Sequence, residues 1–167
     1  MAIVYIGLGS NLDNPKQQLI NARVVLEKMQ QTQLIMDSGL FQSKAMTMAN
    51  DDQPQADYIN AVIKLQTSLA PHVLLDKLQA IETEQGRTRT KRWGARTLDL
   101  DILMYDDLQI DDERLTLPHP GISERDFVLH PLSRIESHLN IPGQGKLNIL
   151  LEKLSDKNIK YLGAFCD

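Results

Sequence analysis

Apolar residues recur at two different spacings along the chain, and each spacing predicts one kind of secondary structure. Between residues 57 and 66, strongly apolar side chains occupy every second position. Successive side chains of an extended chain point to opposite sides, so this period of two predicts a β-strand. One side carries Ile59, Ala61, Ile63 and Leu65, and the other carries Tyr58, Asn60, Val62 and Lys64.

Two other stretches place apolar residues three and four positions apart, which predicts amphipathic helices. The first helix would begin at Pro15 with Asn14 as its N-cap, because these residue types suit those two positions. The second would begin at Pro71 and end at Gly86, since glycine commonly follows the last helical turn. The core positions would be Leu19, Ala22, Leu26 and Met29 in the first helix, and Leu74, Leu75, Leu78 and Ile81 in the second.

Shorter patterns complete the predicted order of elements. Asp106 and Asp107 would form a hairpin turn, and residues 44–56 a polar loop. Ser123, with Asp126 three residues later, has the spacing of a capped helix start. Further strands are expected at 3–8, 38–42, 97–105, 108–110 and 114–117, and a last short helix around Leu147, Leu150, Leu151 and Leu154. Because short turns join several of these strands, we expect an α+β fold with a mainly antiparallel sheet, as a single domain over residues 1–167.

Composition is that of an ordinary globular protein. The 167 residues are 42% apolar and 24% charged, which does not suit a disordered chain. No apolar run approaches the roughly 18 residues that span a bilayer, and the N-terminus lacks the basic start of a signal peptide. The single cysteine, Cys166, excludes an internal disulfide. We therefore expect a cytoplasmic protein, with a monomer as its expected state.

Charge is distributed unevenly along the chain. The net charge of −4 argues against general binding to nucleic acids, which needs a basic surface. Residues 85–98 nevertheless contain no acid and hold five cations: Arg87, Arg89, Lys91, Arg92 and Arg96. A concentrated basic segment in an acidic protein suggests a small, highly charged anion as ligand.

Asp99 and Asp101 follow this segment on one predicted strand. Residues two apart on a strand share a face, so with Leu98, Leu100, Ile102 and Met104 in the core the two carboxylates would emerge side by side. Such a pair is repulsive unless a cation lies between them, and Mg²⁺ prefers this kind of oxygen ligand. The alternative is a solvated strand face paired with arginines. The adjoining basic segment favours phosphoryl chemistry, because arginine suits phosphate oxygens.

These residues resemble a known family. The stretch 92–103, RWGARTLDLDIL, looks like the signature of 6-hydroxymethyl-7,8-dihydropterin pyrophosphokinases. The resemblance extends to YIGLGSNL at 5–12, DYINA at 57–61, the helix end at 82–87 and residues 118–127, in family order. It implies a ferredoxin-like, three-layer α+β fold and transfer of the terminal pyrophosphoryl group of ATP to the pterin hydroxymethyl oxygen, with release of AMP.

The resemblance also implies roles for individual residues. Two Mg²⁺ ions would be held by Asp99 and Asp101, and Arg87 and Arg96 would neutralise charge on the phosphate oxygens during catalysis. The implied pterin contacts are Tyr58, Asn60, Phe127, Trp93, Ser43 and Met46. The implied ATP contacts are Gln79, Glu82, Arg89, Arg92, Trp93, Arg96, Ile102, Arg114, Thr116, His119 and Arg125.

One segment departs from the family pattern. Family members usually carry Thr-Pro-Pro and a glycine after the second strand, where this chain reads Ser-Lys-Ala-Met-Thr at 43–47. Losing two prolines and a glycine implies different turn geometry in a loop beside the pterin.

Two other functions are compatible with parts of the pattern. A nucleotidyltransferase also combines a Gly-Ser turn with an Asp-x-Asp strand, although there the two lie about one helix apart. An RNA-binding module on a ferredoxin-like sheet would need exposed aromatic residues on its central strands. Only 5% of this chain is aromatic, and its candidate strand presents two carboxylates.

Overall fold

The computed structural model describes residues 1–44, 57–86, 97–154 and 159–165. The predicted loop at 44–56, apart from its first residue, and most of the basic segment therefore lie outside the described residues. The helices in the described ranges are α1 (Pro15–Glu27), α2 (Pro71–Glu84), α3 (Asp126–Ile135) and α4 (Leu147–Glu152). The strands are β1 (Ala2–Ser10), β2 (Thr32–Asp37), β3 (Leu40–Ser43), β4 (Tyr58–Thr67), β5 (Asp99–Tyr105), β6 (Ile110–Asp111), β7 (Thr116–Leu117), β8 (Asn140–Ile141), β9 (Gly145–Lys146) and β10 (Ile159–Gly163).

A central antiparallel sheet organises the protein. Its strands lie in the order β10-β3-β4-β1-β5, and β2 pairs with the part of β4 that β3 leaves open. Helices α1 and α2 cover one face, while α3 and α4 cover part of the other. The expected α+β class with an antiparallel sheet and three layers is confirmed. None of the helices in the described ranges is long and apolar enough to cross a lipid bilayer.

The face toward α1 and α2 is a closed apolar core. Both helices begin at their predicted prolines and bury residues from the predicted stripes, against the Ile63 side of β4. Asn14 does occupy the N-cap position of α1, but in the left-handed conformation (φ 61°) and without a side-chain capping bond. Only the position of this cap was therefore predictable, since the cap chemistry depends on a backbone conformation that the pattern does not reveal.

The opposite face holds a second apolar core under α3 and α4. Val62 of β4 and Leu103 of β5 pack there with Leu129 and Leu132 of α3. Met104 lies in this second core as well, so its predicted place beside Leu100 and Ile102 is wrong. The reason is an irregularity in the pairing of β5 with β1, where Ile6 pairs with Ile102 and Tyr5 with Met104. One extra residue at Leu103 reverses the alternation beyond it.

Three further predictions need correction. Asp106 and Asp107 do form a turn, but the strand beyond it, β6, pairs with β7 and not with β5. Ser123 lies in a short 3₁₀ turn, Ile122–Glu124, and Arg125 occupies the N-cap of α3. The strand predicted at 38–42 exists as β3, but it begins at Leu40, because residues 38 and 39 form the corner between β2 and β3, where Gly39 has φ +75°. Added carbon at Gly39 would lie 2.8 Å from the Gly163 carbonyl oxygen, so only glycine fits this corner.

Candidate active site

Two glycines of β1 form a strip of backbone without side chains on the sheet face that α3 covers only in part. The Leu103 side chain lies against Gly7, and Gly9 is buried beside Asn60 and Tyr58. Gly9 lies between Asn60 of β4 and Asp99 of β5, and Gly7 lies between Val62 and Asp101. Residues that pair directly across antiparallel strands share a face, so these side chains border the strip from both sides. The result is a groove with a backbone floor, an amide on one wall and two carboxylates on the other.

The carboxylate wall lies on β5, the outer strand of the sheet at this side. Asp99 and Asp101 are half-buried, and the Asp101 side chain is 38% exposed. The strand is held from α2 by Glu82, which is 2% exposed and accepts a 2.8 Å hydrogen bond from the backbone N–H of Leu100. Glu82 thus fixes the residue between the two aspartates. The family resemblance implied that Glu82 contacts ATP, and it gave no sign of this bond.

A hydroxyl group secures the approach to the same strand. The Ser10 hydroxyl donates a 2.5 Å hydrogen bond to the Thr97 carbonyl oxygen, and Ser10 is fully buried. The last residue of β1 is therefore tied to the segment that enters β5. The Gly9 end of the strip is consequently fixed relative to the segment that leads to Asp99.

His119 lies beside Asp101. Its backbone N–H donates to the Leu103 carbonyl oxygen at 2.9 Å, and its Nδ1 accepts from the Gly121 N–H at 3.2 Å. Burial, and next the positive charge of Arg125, lower the pKa of His119 to about 4, with Asp99 acting in the opposite direction. The ring is therefore neutral at pH 7, with its proton on Nε2, 3.9 Å from Asp101 Oδ2. At that distance and in that state the two groups do not form an ion pair.

Arg125 and Phe127 continue the groove at the start of α3. The Arg125 guanidinium lies over the Phe127 ring, 5.7 Å from its centroid, and close to Gly121. A carbon added at Gly121 would lie 2.6 Å from Arg125 Nε, so the guanidinium occupies space that a side chain would take. Phe127 is half-buried on the helix that covers this sheet face. A cation and an aromatic ring are thus placed together beside the groove.

The amide wall contains three of the predicted pterin contacts, Tyr58, Asn60 and Ser43. Asn60 is 4% exposed and donates from Nδ2 to Ser43 Oγ at 2.6 Å. Tyr58 is half-buried, and its Cδ1 would lie 3.7 Å from a carbon added at Gly9. The predicted alternation of β4 is confirmed here. Tyr58 and Asn60 share the groove face, while Ala61 and Ile63 lie in the core toward α1 and α2.

The remaining predicted ATP contacts are more scattered. Arg114 pairs with Asp76 of α2, and the Thr116 hydroxyl lies 3.3 Å from Asp111 Oδ1. The Ile102 side chain is buried in the core toward α1 and α2, so only its backbone could contact a ligand. Gln79 is half-buried on α2. The predicted site residues outside the described ranges are Met46, Arg87, Arg89, Arg92, Trp93 and Arg96.

The glycine strip was missed by sequence reasoning, although a signal was present. Gly7 and Gly9 are two apart on a predicted strand and therefore share a face. Two glycines on one face of a central strand are unusual because they weaken it, and they mark a close approach to the backbone. That spacing, read beside Asp99 and Asp101, could have identified the groove floor.

The donor set suits a hard divalent cation. Two half-exposed carboxylates on one strand supply the one or two protein ligands that Mg²⁺ usually takes, with phosphate oxygens and water completing its shell. Among the described residues, no three His, Cys, Asp or Glu side chains cluster closely enough to hold a metal by themselves. The pair of carboxylates fits a metal that binds together with a phosphate-bearing ligand.

Comparison with known proteins gives a consistent result. A family model described as 7,8-dihydro-6-hydroxymethylpterin-pyrophosphokinase (HPPK) matches residues 5–137. The chain is 45% identical over 156 residues to the 2-amino-4-hydroxy-6-hydroxymethyldihydropteridine pyrophosphokinase of Haemophilus influenzae, covering 93% of this chain and 95% of that protein. It is 43% identical to the Pseudomonas aeruginosa protein of the same name, covering 95% and 96% of the two chains.

Solved structures share the fold. A crystal structure of HPPK-DHPS in complex with substrates superposes with a TM-score of 0.72 at 12% identity, over 96% of this chain and 46% of that one. Plasmodium falciparum HPPK-DHPS with pterin and p-hydrobenzoate gives 0.68 at 12% identity, over 91% and 44%. This chain thus spans less than half the length of those proteins. At such low identity, the likeness establishes a common fold.

Proposed function

The chain belongs to the 7,8-dihydro-6-hydroxymethylpterin-pyrophosphokinase (HPPK) family, and on that premise we propose that ATP is its pyrophosphoryl donor and Mg²⁺ its metal cofactor. It is a pyrophosphokinase of folate synthesis that acts on 6-hydroxymethyl-7,8-dihydropterin. The proposed products are AMP and the pterin diphosphate. The observation that carries the proposal is the groove, with Asp99 and Asp101 facing Asn60 across the glycine strip.

The carboxylate wall is the proposed nucleotide end. Asp99 and Asp101 would hold two Mg²⁺ ions, and their half-exposed position on an outer strand lets phosphate oxygens complete the coordination. Bound there, Mg²⁺ would neutralise the charge of the transferred phosphoryl groups. Glu82 contributes indirectly, because its bond to the Leu100 N–H holds the two aspartates in register.

Two side chains beside the carboxylates would bind phosphate in different ways. Arg125 contributes a positive charge and a planar set of donors that suits phosphate oxygens. His119, neutral at pH 7, would contribute an N–H donor from Nε2 without adding charge. Arg87 and Arg96 are proposed to supply further charge from the basic segment during catalysis. Pyrophosphoryl transfer depends chiefly on such positioning and neutralisation.

The amide wall is the proposed acceptor end. Asn60 offers hydrogen bonds to the aminopyrimidinone edge, and the half-buried rings of Tyr58 and Phe127 would enclose the flat pterin. Gly9 leaves the floor free for a ring to approach the backbone. The hydroxymethyl oxygen would then point toward the carboxylates, from which Asn60 is separated by a single strand.

Product analysis tests the proposal. The protein is incubated with ATP, Mg²⁺ and 6-hydroxymethyl-7,8-dihydropterin, and nucleotides are separated by chromatography. We expect AMP to form, in equal amount to the pterin diphosphate, and only when pterin is present. Release of pyrophosphate would indicate a nucleotidyltransferase, release of ADP would indicate transfer of a single phosphoryl group, and either would contradict the proposal.

A further inference from the structure

A buried hydrogen bond joins the amide wall to the neighbouring strand, and we propose that Ser43 is a positioning residue that sets the orientation of the Asn60 amide and so determines which ligand edge the groove accepts. Asn60 Nδ2 donates to Ser43 Oγ at 2.6 Å. The two residues are 4% and 5% exposed, so water does not compete for this bond. The identity of the ligand rests on the proposed function, whereas the orientation of the Asn60 amide does not depend on it.

An asparagine amide presents opposite hydrogen-bonding groups on its two sides. Nδ2 only donates and Oδ1 only accepts, so a half turn of the amide exchanges donor for acceptor. With Nδ2 engaged by Ser43, Oδ1 lies on the other side, above Gly9. A carbon added at Gly9 would lie 3.4 Å from that oxygen. Because Gly9 has no side chain, no Cβ separates this acceptor from the row that leads to Asp99.

Ser43 is held firmly enough to impose this orientation. It pairs with Tyr58 of β4 on one side and with Ile159 of β10 on the other. The strand β10 is anchored in turn, since the Arg134 guanidinium of α3 lies 3.9 Å from the centroid of Tyr161 and donates to the Ser38 carbonyl oxygen at 3.0 Å. The Ser43 hydroxyl therefore sits on a strand fixed from both sides, at the last position before residues 44–57.

The orientation has a chemical consequence for the ligand. A carbonyl oxygen facing the groove accepts a hydrogen bond from a ring N–H or an exocyclic amino group. A flat ligand with an acceptor at that point would leave two oxygens or an oxygen and a ring nitrogen in contact, which is costly in a buried site. The groove should thus bind a ring whose edge carries donors, such as an aminopyrimidinone, more tightly than the same ring without its amino group.

The test compares substitutions at one position. In Ser43→Ala the partner of Nδ2 is lost and the amide is free to turn. We expect KM for the pterin to rise about tenfold, as for loss of a buried hydrogen bond, with kcat and KM for ATP within about twofold of their original values. Ser43→Thr retains the hydroxyl, so KM for the pterin should rise less than in Ser43→Ala. Ser43→Cys, nearly the same size with a weaker acceptor, should change in the same direction as Ser43→Ala, and serves if the alanine variant folds poorly.

Two readouts separate positioning from general structural damage. The side-chain amide protons of Asn60, assigned in the NMR spectrum through Asn60→Asp, should exchange slowly in the original protein and in Ser43→Thr, and rapidly in Ser43→Ala. Discrimination against a pterin lacking the 2-amino group should fall in Ser43→Ala. The control is Gln42→Ala on the same strand, whose side chain bonds the exposed Asp57 and should affect neither readout.

Clear outcomes overturn the inference. Unchanged Asn60 exchange in Ser43→Ala would show that the serine does not hold the amide. An equal fall in kcat and rise in both KM values would show a structural role without specificity. The amide measurement needs no turnover, so it decides the orientation even if the original protein fails to form AMP, an outcome that would contradict the proposed function instead.

Discussion

The two faces of the central sheet are built from the same strands but serve different purposes. The face toward α1 and α2 is apolar along its whole length, from Val4 and Ile6 on β1 to Ile63 and Leu65 on β4. The face toward α3 is apolar only at one end. At the other end the same strands present glycines, an amide and two carboxylates.

This difference shows how a small domain separates stability from chemistry. A site needs polar groups, partial exposure and room for a ligand, and each of these reduces the apolar area that a core can bury. The closed face supplies stabilisation without exposing any functional group. The divided face can then place Gly7 and Gly9 between polar side chains. Substitutions on the divided face should therefore lower turnover, and substitutions on the closed face should lower the free energy of unfolding.

The largest expected effect is loss of turnover on the divided face. Asp99→Ala or Asp101→Ala should lower kcat by at least about a thousandfold, because the proposed metal ligands and their charge stabilisation are removed. The free energy of unfolding in metal-free buffer should stay the same or rise slightly, since two adjacent carboxylates repel each other. Quenched-flow or chromatographic assays measure the first quantity and chemical denaturation the second. A marked loss of stability without metal would show that these acids are structural.

The next largest effect is loss of stability on the closed face. Leu65 is fully buried in the core toward α1 and α2. Leu65→Ala should lower the free energy of unfolding by about 2–5 kcal/mol through lost burial and a cavity. At a temperature where the variant remains folded, its kcat should change by less than about threefold. Denaturation and turnover measured on one preparation test this, and a loss of turnover comparable to that of Asp101→Ala would remove the distinction between the faces.

Glu82 links the two faces and should show an intermediate effect. Glu82→Ala leaves the Leu100 N–H without its acceptor, which should cost about 1–3 kcal/mol of stability. It should also lower kcat by about tenfold, because Asp99 and Asp101 lose their common anchor. Glu82→Gln keeps an acceptor oxygen and serves as the matched control. If both variants lose activity equally, Glu82 acts through its charge and not through this hydrogen bond.

The prediction with the smallest effect at neutral pH concerns proton binding by His119. Its pKa in the folded protein is about 4, below the ordinary value of 6.5, chiefly because the ring is buried. The unfolded chain therefore binds a proton more readily than the folded protein. As a result, protonation of His119 lowers the free energy of unfolding as pH falls from 6.5 toward 4, and above pH 6.5 this loss is absent. NMR titration of the ring protons should give a midpoint well below 5.5. A midpoint at 6.5 or above would indicate a charged ring that pairs with Asp101.

The sequence predicted those parts of the site that depend on strand period. Tyr58 and Asn60 on one face of β4, and Asp99 and Asp101 on one face of β5, follow directly from alternation. Both long helices and their starting prolines follow from apolar spacing. The antiparallel α+β class follows from the short connections between strands.

Features that depend on contacts between distant segments could not be predicted. Met104 changes faces because of a local irregularity against β1, and the Glu82 bond to Leu100 requires α2 to lie against β5. The strand β10 was missed because its few residues have no distinctive period and gain their structure from pairing with β3. Each of these depends on a neighbour far away in the chain, which local patterns do not encode.

Locating the metal tests the central claim most directly, namely that the carboxylate end of the divided face is the catalytic site. Paramagnetic Mn²⁺ is added in place of Mg²⁺ to isotopically labelled protein bound to a non-hydrolysable ATP analogue, and loss of backbone NMR signals is measured. We predict that signals of Gly7, Gly9 and Leu100 disappear first, while those of Ala2 and Thr67 at the far end of the sheet persist. The same pattern in a variant lacking both carboxylates, or first losses at the far end, would contradict the account.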